Sequence, residues 1–327
     1  MTGLSRRGLL VGSAALFVLA GCGSEDEGGS GSGAQGGGPW EFTDDRGTKA
    51  TKDSRPTKIV AQISAAATLW DFGLRPVGTF GETNASEILK GNVDTASLTW
   101  VGQTWGDFNI EKLAALQPDL LVAPMQTKGQ LWYVPDEAVS KIEPLCPTVG
   151  INQYEVPVDK VINRFADLAV SLGADLTASQ AAKAEFEAAS KALADAAKAR
   201  PDLRVAFVSG NKDNLYLGNA KIFSDLAYLQ NQGVPFVQPS VPAAEPHWEV
   251  LSWEQAGKYP IDVLLYDSRN ASYFTTDLAR YPTVASLPAI KANQALAWNP
   301  ETPSTWAAFA PTLRDLASKL TAFKRVA

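Results

Sequence analysis

The sequence predicts an α/β protein built as two similar α/β lobes joined by a long rigid helical region. Three observations predict it. Short β-branched runs alternate with helical stretches from residue 57 onward, a long helical region fills residues 158–200, and the alternation restarts behind it. A local repeat then links the halves. Trp105-Gly-Asp-Phe-Asn-Ile-Glu111 precedes Asp119-Leu-Leu-Val, and Trp248-Glu-Val-Leu-Ser-Trp-Glu254 precedes Asp262-Val-Leu-Leu. In both, Glu follows Trp by six positions, and the Asp opening an apolar run follows Glu by eight.

In the first half, Lys58–Ser64 reads as a strand and Ala65–Phe72 as a helix closed by Gly73. Pro76–Phe80 is a second short strand, Asn109–Leu116 a helix, Asp119–Ala123 a buried strand, and Thr148–Ile151 another strand. The middle region opens with Val158–Leu172, which carries Val161, Phe165, Leu168 and Leu172 on one face. Gly173 ends that segment, and Thr177 with Gln180 predicts a capping box for a second helix reaching about Ala199. This helix bears Ala182, Phe186, Ala189 and Leu193 as a narrow apolar stripe. It is roughly 35 Å long, enough to run along two lobes. Arg200-Pro201-Asp202 stops it. In the second half Arg204–Ser209, Val234–Val237, Asp262–Asp267 and Ala295–Trp298 read as strands, and Ile222–Gln230, Ser252–Ala256 and Ser304–Phe323 as helices. The lobes are therefore expected at residues 40–157 and 201–327, with 158–200 between them.

The first 39 residues belong to neither lobe. Arg6 and Arg7 precede an apolar run from Leu9 to Ala20 that is shorter than the roughly 20 residues a membrane span needs. A basic stretch before a short apolar one is an export signal, and the paired arginines resemble the twin-arginine type. The run ends in Leu19-Ala20-Gly21-Cys22, which looks like a bacterial lipobox, with residues 1–22 as the signal and Cys22 as the lipid-bearing residue. Residues 23–39 are Gly/Ser-rich and read as a flexible tether.

Composition bounds the function. The chain has 327 residues, 45% of them hydrophobic and 20% charged, as in an ordinary globular protein of two domains. A net charge of −6, more negative once Arg6 and Arg7 are removed, argues against non-specific binding to nucleic acid. With Cys22 committed to lipid, only Cys146 remains, so no internal disulfide forms and the core must supply the stability. No Gly-x-Ser-x-Gly stands in the chain, and the sole histidine, His247, sits in a proline-rich loop. Neither an enzyme nor a bare-metal binder, which needs clustered His and carboxylate ligands, is expected.

Four further motifs carry a family resemblance. Arg55-Pro-Thr-Lys-Ile-Val, Gly73-Leu-Arg-Pro-Val-Gly78, Asn109-Ile-Glu-Lys-Leu-Ala-Ala-Leu-Gln-Pro-Asp-Leu-Leu and Leu287-Pro-Ala-Ile-Lys-Ala resemble the substrate-binding proteins for ferric siderophores, haem and cobalamin that serve ABC importers. The resemblance covers about residues 50–327 and implies a ligand cleft between lobes bridged by a rigid helix. It implies that Glu111 and Glu254 dock the two lobes on a permease, and that Trp105 and Trp248 line the cleft. The export signal, the lipobox and the two unpaired cysteines place the chain, expected as a monomer, lipid-anchored on the outer face of the cytoplasmic membrane of an organism expected to be Gram-positive.

Loops after the C-terminal ends of strands are expected to line such a cleft. They offer Lys128, Trp132 and Tyr133, then Asn211, Lys212 and Tyr216, then Arg269 and Tyr273, and finally Trp306. Aromatic and basic side chains suit an oxygen-rich, anionic or dipolar iron chelate. The expected ligand is a ferric siderophore, with no resident cofactor. The alternatives are cobalamin, haem, for which His247 is the axial candidate, or a surface lipoprotein without a transport role.

Overall fold

The apolar runs pair into two five-stranded sheets, one in each half of the chain. The computed structural model describes residues 38–82 and 90–327; Arg6, Arg7, Cys22, the whole leader and nearly all of the Gly/Ser tether lie outside the described residues. A short antiparallel hairpin comes first, formed by β1 (Trp40–Thr43) and β2 (Lys49–Lys52). The first sheet contains β3 (Ile59–Gln62), β4 (Gly78–Phe80), β5 (Thr99–Gly102), β6 (Leu120–Met125) and β7 (Thr148–Asn152). Its order is β5-β4-β3-β6-β7 and every pair is parallel. Both β3 and β6 are buried at every position, which explains why they read as unbroken apolar runs.

The second sheet contains β8 (Val205–Gly210), β9 (Asn214–Gly218), β10 (Trp248–Ser252), β11 (Val263–Asp267) and β12 (Ala295–Trp298), in the order β10-β9-β8-β11-β12. Here β9 runs antiparallel to both of its neighbours, whereas β11 lies parallel to β8 and β12. The lobes thus share a three-strand half and differ at the other edge. The internal repeat marks the shared half. Asp119 N–H donates to the Lys58 carbonyl at 2.9 Å, and Asp262 N–H to the Arg204 carbonyl at 2.9 Å. Each carboxylate then accepts the N–H of that same partner residue, at 3.0 Å for Lys58 and 2.9 Å for Arg204. The same joint is built twice.

Several local expectations need correction. Val234–Val237 is not a strand but makes a single bridge, Val205 to Phe236, because Pro235 has no N–H to extend a ladder. β9 and β10 were not foreseen; Asn211 turns the chain into β9 by accepting the N–H groups of Asp213 and Asn214, so a polar stretch opens a strand. Thr177 and Gln180 form no capping box. Asp175 accepts both the N–H and the hydroxyl of Thr177 and starts a 3-10 turn, Leu176–Ser179, ahead of the helix Gln180–Ala199.

Two linker helices, Val158–Ser171 and Gln180–Ala199, connect the sheets, and the C-terminal helix Trp306–Ala322 packs on the second of them. Their apolar stripes join the sheets into one core. Ile59, Ala61 and Val122 of the first sheet, Phe165, Phe186 and Leu193 of the linker, and Val205, Phe207 and Leu265 of the second sheet belong to a single buried cluster. Alternate residues of the same strands fill separate clusters on the outer faces, Val60 and Leu121 beside Cys146 from the segment before β7 in one, and Val208 and Leu264 in the other. Burial pushes the Cys146 thiol up to about 12.

Candidate functional site

A cavity of about 790 Å³ opens between the lobes. The first-lobe wall is the segment that leaves the C-terminal end of β6, with Gln126, Thr127, Lys128 and Trp132 facing the cavity. A Thr127–Gln130 bridge closes a tight turn that holds Lys128 out at its tip, and Trp132 N–H returns to the Pro124 carbonyl at 2.9 Å. Tyr133 takes a left-handed backbone conformation, φ 64°, and the turn sets its ring edge-on to Trp132. Trp105, 58% exposed, completes an aromatic rim with centroids 4.8 Å from Trp132 and 5.1 Å from Tyr133. The loop that presents Trp105 needs Gly102, where a Cβ would lie 1.9 Å from the Asp107 carbonyl oxygen.

The second-lobe wall is a strand face rather than a loop. In the register of β9 and β10, Tyr216 pairs with Val250 and Gly218 with Trp248, so Tyr216, Trp248 and Val250 share one side of the sheet. Trp248 lies 4.9 Å from Phe223, 5.4 Å from Phe207 and 6.1 Å from Tyr216, centroid to centroid. It lies flat because its strand partner is glycine: a Cβ on Gly218 would meet the indole at 3.2 Å and Phe207 at 2.6 Å. His247, just before β10, sets its Nε2 3.2 Å from the Gln126 carbonyl oxygen and so joins the two lobes at the edge of the cavity. Gln126 in turn donates to Gln153, and Gln153 to Ser304.

The floor is charged. Arg269 donates through Nε and Nη2 to Asp267, at 3.0 and 2.7 Å, and through Nη1 to Glu301 at 2.7 Å. Burial alone would make the guanidinium easier to deprotonate, but the two carboxylates outweigh it and hold the charge more firmly. Burial raises the Glu301 carboxyl despite the opposing pull of Arg269. The Tyr133 phenol is pushed up to about 12, first by burial and then by Glu301 and Glu82, so it stays a neutral donor.

A family model described as periplasmic binding protein matches residues 61–302, more than half of the chain. The chain belongs to the periplasmic binding protein family. Among relatives, the Fe(3+)-citrate-binding protein YfmC of Bacillus subtilis is 22% identical over 287 residues, covering 86% of this chain and 84% of that protein. The crystal structure of DesE, a ferric-siderophore receptor protein from Streptomyces coelicolor, superposes with a TM-score of 0.83 at 37% identity, covering 88% of this chain and 100% of that one. A siderophore periplasmic binding protein from the fuscachelin gene cluster of Thermobifida fusca shares the fold, with a TM-score of 0.60 at 21% identity and coverage of 82% and 97%.

In this periplasmic binding protein the residues singled out in the sequence divide cleanly. Lys128, Trp132, Tyr216, Trp248 and Arg269 meet at the cavity, and Trp105 and Tyr133 stand on its rim. Trp248 is the first residue of a strand, not a loop residue, and is half-buried where Trp105 is exposed. Asn211 donates to the Tyr216 hydroxyl at 2.7 Å, whereas Lys212 points to solvent. Two further residues also lie away from the cavity. Trp306 is 6% exposed and packs edge-on to Phe72 in the core seam, because helix burial turns it inward after the Thr305 cap. Tyr273 ends up against Trp253 and Tyr281 on the far side of the second sheet, carried there by the 3-10 turn that starts at Ser268. Glu111 and Glu254 are both exposed, each in the first turn of a short helix ahead of β6 or β11. A Ser252 hydrogen bond holds the Glu254 carboxyl below the usual range. Phe223, Glu301 and the 243–246 loop also line the cavity and were missed.

Proposed function

We propose that this chain captures a ferric siderophore outside the cytoplasmic membrane and hands it to an ABC permease without catalysing a reaction. One observation carries the reading: an interlobe cavity of about 790 Å³ whose walls are Trp132, Tyr216, Phe223 and Trp248, a size and lining suited to a bulky, pre-wrapped ligand. A chelated iron has its coordination filled, so the aromatic faces need only enclose the chelate while Lys128 and the rim phenol supply donors. The ferric-siderophore receptor from Streptomyces coelicolor, at 37% identity, supports the same ligand class. The contacts assigned are Lys128, Trp132, Tyr216, Trp248 and Arg269, with Trp105 and Tyr133 at the mouth. Exposed Glu111 and Glu254 are assigned to permease docking, Arg6 and Arg7 to export, and Cys22 to the lipid anchor, with the chain working as a monomer divided into lobes at residues 40–157 and 201–327.

The test is quenching of tryptophan fluorescence in the purified full chain, titrated with ferric siderophores, ferric citrate, cobalamin and haemin. Saturable quenching by a ferric siderophore, weakened at least tenfold in Trp248→Ala, is the expected result. Saturation by cobalamin or haemin alone overturns the ligand class, and no saturation by any of them overturns the capture role.

A further inference from the structure

The cavity contains an arginine, yet its floor is not a cationic site. All three donor directions that Arg269 uses end on carboxylates, two on Asp267 and one on Glu301. The Asp267 side chain is fully covered and that of Glu301 only 10% exposed, so both carboxyl groups are fixed in place. Among the described residues, the charged side chains that line the cavity or support its floor are Lys128 and Arg269 on one side and Glu245, Glu301 and Asp267 on the other. Glu82, from the first lobe, acts electrostatically on both Tyr133 and Glu301 and adds to the same sign. Lys128 and Glu245 both stand on exposed loops, where solvent screens them, while Asp267 and Glu301 outnumber Arg269 in the low-dielectric floor.

We propose that this cleft sorts ferric chelates by charge, accepting neutral or singly cationic complexes and rejecting anionic ones. The inference deepens the siderophore reading and rests on it. An anionic chelate would either face Glu301 directly or pull Arg269 away from it, leaving a buried carboxylate unpaired. The chemistry of the chelator follows from the charge. Three hydroxamates carry one negative charge each and cancel a ferric ion, giving a neutral complex. Three catecholates carry two each and leave the complex strongly anionic, and carboxylate chelates of the citrate type are anionic as well. The occupant assigned is therefore a tris-hydroxamate, for which a pendant ammonium group would meet Glu301 or Glu245 favourably. Neutral hydroxamate oxygens still find donors in Lys128 and in the Tyr133 phenol, which stays protonated at physiological pH.

The experiment varies charge at fixed iron coordination. The full chain is titrated with one linear ferric tris-hydroxamate in three forms: with its terminal amine free, acetylated and succinylated, so that the net charge runs from +1 through zero to −1. A ferric tris-catecholate is added as the strongly anionic extreme. The expected result is that the succinylated form binds about tenfold more weakly than the free amine. Raising the salt from about 0.05 M to about 0.5 M should narrow that gap, and Glu301→Gln should narrow it as well. Equal or tighter binding of the succinylated form or of the catecholate overturns the charge selection while leaving siderophore capture intact. Failure of all four chelates to bind overturns the siderophore reading and this inference with it.

Discussion

Asp225 is a buried carboxylate outside the cavity. It is buried behind the floor on the helix Ser224–Asn231, where Oδ2 accepts the Trp298 indole N–H at 2.5 Å and Oδ1 accepts the Leu226 N–H at 2.8 Å. Burial lifts its carboxyl from 3.8 to about 6, against the smaller opposing pull of Trp298 and Arg269. Because the folded pKa is raised, the protonated group's contribution is complete below about pH 3.8 and is lost as pH rises through about 6. The loss amounts to about 3 kcal/mol. Thermal unfolding followed from about pH 4 to about pH 8 should show a fall in stability that is largely absent in Asp225→Asn; an unchanged pH profile would acquit the residue. Such residues were hard to read in the sequence. Glu301 looks like a solvated carboxylate in Asn299-Pro-Glu-Thr-Pro303, and only the fold brings it to Arg269, 32 positions away. The rule that loops follow strand ends located Lys128, Trp132 and Arg269 because it predicts chain position. It does not predict side-chain direction, and so it also selected Trp306 and Tyr273.

At the scale of elements, the Asp before each central strand acts as a clasp, and the two clasps differ in strength. Asp262 is fully buried and accepts from Arg204 through N, Nε and Nη2, and from the N–H groups of Val326 and Ala327, pinning the chain end to β8 and β11. Asp119 accepts hydrogen bonds from Thr57 and Lys58 and pairs with Lys52 at 3.6 Å, and its side chain is 28% exposed. Asp262→Ala should cost about 3 kcal/mol and Asp119→Ala about 1 kcal/mol in chemical denaturation, and equal losses would deny the difference in role. In both, hydrogen bonds hold the carboxyl below 3.8 although burial opposes them, so this stability is present near neutral pH and lost as pH falls. Periodicity exposed β3, β4, β6, β7, β8, β11 and β12, most of them buried along their whole length. It missed β1, β2 and β5, and also β9 and β10, which begin with or contain polar residues and carry Tyr216 and Trp248 toward the cavity.

At the scale of the molecule, the two lobes are not independent bodies. The linker helices put residues of both sheets into one buried cluster, so neither lobe can expose its inner face without disrupting the other. Calorimetry of the ligand-free chain should therefore show a single unfolding transition whose calorimetric and van't Hoff enthalpies agree, whereas two resolved transitions would mean that the lobes are separable. The fold class was legible because the linker stripe of Val161, Phe165, Leu168 and Leu172, the strand–helix alternation and the repeated Asp joint all describe this one arrangement. The cavity was less legible, since it depends on which edges of two sheets face each other across the linker. One feature of the core has a practical use. Cys146 is the only cysteine among the described residues, and with 3% exposure and a thiol held near 12 it is silent to alkylating reagents at neutral pH. With Cys22 replaced, a cysteine introduced on each side of the mouth would carry the only reactive labels. A spectroscopic ruler between them would then read the opening of the cleft directly, free of background.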